Sequence, residues 1–196
     1  SVYVYNYSDP GTTSGSWNQV GQTMTAADST TFDFKLGYNV DISHDGNTVI
    51  LAGNHEDSYY VVYRYDGTST WNELQRFTDS GENSRKYVAI SGDGNTICYN
   101  KRRPSTGSYR NNDAFYVYSY NGSSFESKNY NSNGILPYTT ADNGMGGINI
   151  SFNYDGTILS ISSANKSEAF IYKYSASSID QDGDFFYGSK NTISGS

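Results

Sequence analysis

The stretch Val88-Ala89-Ile90-Ser91-Gly92-Asp93-Gly94-Asn95-Thr96-Ile97-Cys98-Tyr99 decides the fold of this chain. Val88 and Ile90 alternate with small residues, the period of a strand, and a second β-branched run opens at Thr96. Asp93-Gly94 between the two reads as a hairpin, because glycine accepts the positive φ that a tight primed turn needs. The same text recurs at Val40-Asp41-Ile42-Ser43-His44-Asp45-Gly46 before Thr48-Val49-Ile50, and at Ile150-Ser151-Phe152-Asn153-Tyr154-Asp155-Gly156 before Thr157-Ile158.

Working outward, a tyrosine-rich run recurs four times. It stands at Tyr3-Val4-Tyr5-Asn6-Tyr7, Val61-Val62-Tyr63-Arg64-Tyr65, Tyr116-Val117-Tyr118-Ser119-Tyr120 and Phe170-Ile171-Tyr172-Lys173-Tyr174. Its shared tyrosine repeats at 5, 63, 118 and 172, in steps of 58, 55 and 54 residues. A turn follows (Asp66-Gly67, Asn121-Gly122), then an aromatic-led fourth run at Trp17, Trp71 and Phe125. Each period therefore encodes four short antiparallel strands. One such sheet buries too little apolar surface to offset the entropy of ordering its backbone, so the units must stack. Radial stacking of four-stranded sheets gives an all-β fold, a β-propeller, with a linear stack of sheets as the structural rival.

The units fall at about 1–22 (a half blade), 37–77, 86–128 and 147–187, some fourteen strands or three and a half blades in one region spanning 1–196. The half blade is expected to be completed by sequence outside this chain or by another chain, with a piece of a longer propeller favoured.

Composition agrees. Twenty tyrosines supply burial area and β preference where Val, Ile, Leu and Phe are scarce. A net charge of −7 and a pI near 4.6 disfavour nucleic acid. No apolar run reaches the ~20 residues that a membrane span requires. The lone cysteine, Cys98, lies in an apolar run and reads as a buried, inert thiol.

The Ser-x-Asp-Gly-Asn-Thr hairpin, the Tyr-Val-Tyr-x-Tyr run and Trp17-Asn18-Gln19-Val20-Gly21-Gln22 together resemble FG-GAP-like repeats, in the style of the integrin α-chain head. WD40 and YVTN-type surface propellers, which share the hairpin, are the near alternative. The resemblance implies a secreted, cell-surface or virion location and a structural or adhesive role. The turns here, such as Ser43-His44-Asp45-Gly46-Asn47, carry too few carboxylates for the calcium loops of integrin-type repeats.

Few residues suggest chemistry. Asp180, Asp182 and Asp184 alternate around Gly183, as calcium loops do, with a solvated acidic turn as the other reading. Four Asn-x-Ser sequons, Asn6, Asn121, Asn149 and Asn165, are candidate glycosylation sites. His44 and His55 have no nucleophile to pair with. Ser91-x-Asp93-Gly94 narrowly misses the Asp-box of sialidase propellers, and no poised carboxylate pair marks a glycosidase. Lys101-Arg102-Arg103-Pro104 with Arg110 form a basic loop, read as solvated, with contact to an acidic neighbour as the alternative. The segments 22–36, 78–85 and 129–146 connect the units and offer Phe32, Phe34, Tyr130 and Tyr138 for recognition. The expectation is a non-enzymatic extracellular or particle-surface propeller, contacting other proteins or further copies of itself. A glycan-binding, lectin-like propeller is the alternative and a glycosidase-type fragment the third reading; no cofactor is expected.

Overall fold

The computed structural model describes residues 1–11, 13–25, 35–54, 58–79, 86–102, 113–128, 148–163, 168–173 and 191–194. Among them are fourteen strands and no helix. Strands β1 (Tyr5–Tyr7) and β2 (Trp17–Gln19) make a two-stranded ribbon. The first sheet runs β3 (Lys35–Ile42), β4 (Thr48–Asn54), β5 (Ser58–Tyr65), β6 (Trp71–Asp79). The second runs β7 (Val88–Ile90), β8 (Thr96–Arg102), β9 (Asp113–Tyr120), β10 (Phe125–Ser127). The third runs β11 (Ile148–Phe152), β12 (Ile158–Ser163), β13 (Glu168–Lys173), β14 (Asn191–Ser194). Its outer strand thus lies beyond the bound of 187 read from the sequence. All neighbours pair antiparallel in chain order, so each sheet is a meander. This is a partial β-propeller of three and a half blades.

The middle strands show why the blades stack. Along β4, Val49 and Leu51 pack toward the ribbon, whereas Ile50 and Ala52 pack toward the second blade. Along β8, Ile97 and Tyr99 face the first blade and Cys98 the third. Strands buried on both faces are apolar at consecutive positions, unlike half-solvated ones. Each fully buried side chain of this size contributes about 1.5–3 kcal/mol, and only a neighbouring blade can cover the second face.

The hairpins differ in detail from the expected primed turns. A two-residue primed turn of type I′ needs positive φ at both central residues. Here only the glycine is left-handed, with φ of 73° at Gly46, 72° at Gly94 and 70° at Gly156. The amide of Gly46 donates to the Ser43 carbonyl at 2.9 Å, and that of Gly94 to Ser91 at 3.0 Å. Each turn is therefore a four-residue turn closed by a left-handed glycine. The aspartate fixes it: Asp45 accepts from the Ser43 hydroxyl at 2.6 Å and the Asn47 amide at 2.9 Å, and Asp93 repeats this with Ser91 at 2.5 Å and Asn95 at 3.0 Å.

Two further devices lock blade to blade. The first is a glutamine clamp. Gln22 donates to the Trp71 carbonyl at 2.9 Å and accepts from its amide at 2.7 Å; Gln75 does the same for Phe125 at 3.2 and 2.6 Å. Each clamp satisfies the first backbone unit of the next blade's outer strand. The second is a glycine seat. A Cβ on Gly94 would lie 2.8 Å from the Thr48 hydroxyl oxygen of the preceding blade, and one on Gly156 would collide with Thr96. A Cβ on Gly46 would meet nothing within 4 Å.

Gly46→Ala should cost about 1–2 kcal/mol from the left-handed backbone alone, and Gly94→Ala roughly 1–3 kcal/mol more from the clash with Thr48; urea midpoints measure the difference, and equal costs would refute the seat. Gln75→Ala, which leaves the Phe125 amide and carbonyl unpaired at half-buried positions, should cost about 1–3 kcal/mol by the same melts.

Candidate functional site

The strands have two kinds of end. At one end lie the tight hairpins, and between blades one and two these enclose a cleft of about 410 Å³. Asp45, Asp66, Asp93, Arg64, Asn47 and Asn95 line it. Its groups are already engaged. Asp66 accepts from the amides of Thr68, Ser69 and Thr70 at 2.8–3.0 Å, which hold its carboxyl far below the usual carboxylate range. Arg64 donates to the Thr48 hydroxyl and the Gly94 carbonyl, each at 3.1 Å, and lies 4.6 Å over the Tyr120 ring. The Ser43 and Asn47 hydrogen bonds lower Asp45 against the opposing effect of its partial burial. A carboxylate stabilised in this way is a poor base. The cleft is a joint between blades.

Near it, the first turn residues of the three hairpins converge. Gly92 has no side chain, and a Cβ there would lie 2.6 Å from Tyr154. His44 consequently meets the edge of Tyr154 across it, centroids 5.7 Å apart. Asp41 accepts from the Ile90 amide at 2.8 Å, tying the inner strands of two blades; burial raises its carboxyl above the ordinary value.

At the opposite end, where the longer connections attach, the chemistry is different. Lys86 has no exposed surface, and its ammonium stands 5.6 Å over the Tyr60 ring. The Tyr60 hydroxyl donates to the Asn100 carbonyl. The Asn100 side-chain oxygen accepts from the Tyr87 amide at 2.6 Å. Tyr60 stacks on Tyr99 at 4.2 Å, and the Tyr99 hydroxyl donates to that of Tyr118 at 3.0 Å. Lys101, half-buried, sits 5.7 and 5.4 Å over the rings of Tyr99 and Tyr116. Burying an ammonium among side chains is expensive unless neighbours replace its water. Arg76, on the ribbon side of the first blade over Tyr59, is held by Glu73 at 2.7 Å.

The candidates read from the sequence are scattered. Asp180, Asp182, Asp184, Asn165 and His55 lie outside the described residues, as do Phe32, Phe34, Tyr130 and Tyr138. Among the described residues no group of three or more metal-ligating side chains occurs. Asn6 is exposed on β1 and Asn149 exposed on β11. Asn121 heads a turn, accepting from the amides of Ser123 and Ser124 at 2.9 Å. Cys98 is wholly buried, and burial pushes its thiol up, out of reach of ionisation. The Lys86 cluster had no signal in the sequence beyond a lysine entering an apolar strand.

No family model and no curated protein matches the chain. Solved structures do. A provisionally assigned 6-phosphogluconolactonase from Bacteroides fragilis aligns with a TM-score of 0.50 and 16% identity, over 80% of this chain and 38% of that one. A protein from Lactobacillus plantarum gives 0.49 and 15%, over 98% and 49%. Hydrazine synthase from Kuenenia stuttgartiensis gives 0.48 and 14%, over 74% and 44%. The chain spans about four tenths to one half of the length of these proteins. The first of them corrects the expectation of a non-enzymatic extracellular or particle-surface adhesion propeller. That neighbour bears the name of an enzyme, and the shared architecture carries no mark of adhesion.

The folded-state carboxyl of Asp66 lies below the unfolded value of about 3.9, so its stabilisation is fully present above that pH and is lost progressively as pH falls from there toward the lower folded-state value. Asp66→Asn should melt lower than the parent at pH 7, and the gap should close on acidification below pH of about 3. A gap independent of pH would rule out the charge as its source.

Proposed function

We propose that this chain is part of a propeller with an enzyme-type small-molecule site at the loop end of its blades, taking an anionic, hydroxylated substrate such as a phosphorylated sugar acid or lactone. The observation that carries the reading is Lys101, a half-buried cation over the Tyr99 and Tyr116 rings where strands meet connecting loops, with the buried Lys86 at the same end. At the other end three carboxylates face one guanidinium in the cleft. Two lysines so placed on a chain of net charge −7 favour an anion locally. Support of a second kind is the name of the Bacteroides fragilis neighbour, which implies a phosphorylated lactone as substrate. The FG-GAP-like style of the repeat is a separate proposal about kinship. It is supported by the Ser-x-Asp-Gly-Asn-Thr hairpin and is independent of the substrate.

The test is calorimetric titration with 6-phosphogluconate, with hydrolysis of its lactone followed in parallel. Lys101→Glu should weaken binding about tenfold or more, the loss of one charge-assisted contact. Asp45→Asn, at the hairpin end, should leave it unchanged. Absence of saturable binding at about 10 mM ligand, an affinity too weak to reflect a built site, would remove the reading.

A further inference from the structure

Among the described residues, glycine follows aspartate or asparagine in the turns at Asp45-Gly46, Asp66-Gly67, Asp93-Gly94, Asn121-Gly122 and Asp155-Gly156. At such a pair the glycine amide nitrogen can close on Cγ of the preceding side chain, because no Cβ stands in the way. Most of these pairs are protected by the fold. The amides of Gly46, Gly94 and Gly156 are engaged, donating to the carbonyls of Ser43, Ser91 and Asn153 at 2.9, 3.0 and 3.3 Å. Asp66 is protected by charge. Its carboxyl is held far below the usual carboxylate range by the Thr70, Thr68 and Ser69 amides, and an ionised carboxylate repels a nucleophile.

Asn121-Gly122 differs on each count. Its side chain is a neutral carboxamide, exposed to the water that a later hydrolysis needs. Among the described residues no acceptor takes the Gly122 amide, and a Cβ on Gly122 would meet nothing within 4 Å. The carboxamide oxygen accepts from the Ser123 amide, the Ser123 hydroxyl and the Ser124 amide, each at 2.9 Å. Donors at this distance stabilise the negative charge that a carbonyl oxygen develops under attack. The carboxamide nitrogen donates to Glu126 Oε1 at 2.6 Å. A carboxylate there favours the positive charge that this nitrogen gains as it departs.

We infer that Asn121 is a self-modification site, at which the folded turn promotes its own deamidation through a succinimide to aspartate or isoaspartate. The Gly122 nitrogen bonds to Cγ of Asn121 and gives up its proton. The Cγ–Nδ2 bond breaks, and ammonia leaves with that proton. Water then opens the ring. Attack at Cγ yields aspartate; attack at the main-chain carbonyl yields isoaspartate, which adds one carbon to the backbone. The two products differ in consequence. Aspartate can keep the Ser123 and Ser124 amides, as Asp66 keeps those of Thr68 and Ser69 in the first blade. Isoaspartate lengthens the turn that delivers Phe125 to the Gln75 clamp, so it loosens β10 from the preceding blade.

The experiment incubates the folded 196-residue chain, the same chain unfolded in urea, and a synthetic peptide of the sequence of residues 116–128, all at one mildly alkaline pH. Peptide mapping by mass spectrometry follows conversion at Asn121 and separates it from conversion at Asn133-Gly134 and Asn143-Gly144. The folded chain should convert Asn121 about tenfold or more faster than the peptide, the work of preorganised donors, and urea should bring its rate down to the peptide's. Ser123→Ala removes one donor and leaves the backbone turn, so it should slow the folded chain about threefold. The isoaspartyl product should melt below the Asn121→Asp variant, which has the same charge without the added carbon. A folded rate equal to or below the peptide's would overturn the inference, as would a Ser123→Ala rate equal to the parent's. Equal melting of the isoaspartyl product and Asn121→Asp would overturn its effect on the clamp.

Discussion

Everything in this molecule depends on sheets that are apolar on both faces. In β5, Tyr59, Val61 and Tyr63 face the ribbon while Tyr60 and Val62 face the second blade. A strand of this kind has no solvent side. Left alone it would expose a run of large apolar groups, so the blades can persist only as a stack, and position in the stack sets which residue is core and which is surface. Tyr5 and Tyr63 occupy the same place in the repeat, yet Tyr5 is half exposed and Tyr63 buried, because a blade stands in front of one and not of the other. The residue type does not decide its burial; the neighbour does.

This explains what could be read in advance. Strand period, the Asp-Gly signal and the tyrosine runs are local, so the order of strands, their meander pairing and their number were legible. The turn type was less so. Asp-Gly suits both a primed turn and a longer turn with one left-handed residue, and the choice here follows from serine and asparagine side chains closing on Asp45 and Asp93. Contacts between blades were not legible at all. Gln22 and Trp71 are separated by 49 residues, and nothing in either segment announces the pair. The same holds for Gly94 and Thr48, where the glycine looked like turn chemistry and serves packing as well.

Function was the least legible, for a physical reason. Tyr, Asn, Ser and Gly in repeated strands are what a stacked sheet needs for its own edges and turns, so their abundance carries no information about a partner. The inference from that surface chemistry to adhesion failed on this point. Lys86 shows the converse. It is one lysine before an apolar strand, unremarked in the sequence, and only the coordinates reveal a cation enclosed with Asn100 and Tyr60.

The two ends of the blades can then be told apart by how their polar groups are used. At the hairpin end the carboxylates Asp45, Asp66, Asp93 and Asp155 each accept hydrogen bonds from their own turn. Such groups hold the backbone in place, and the same bonds consume the lone pairs and basicity that a reaction would require. Arg64 is likewise spent on joining Thr48 to Gly94. At the loop end, Lys86 and Lys101 stand among tyrosine rings, with a buried amide beside Lys86. Rings attract a cation without neutralising it. The two ends thus differ in what their described side chains hold: aromatic faces and cations at the end with longer connections, backbone turns at the other.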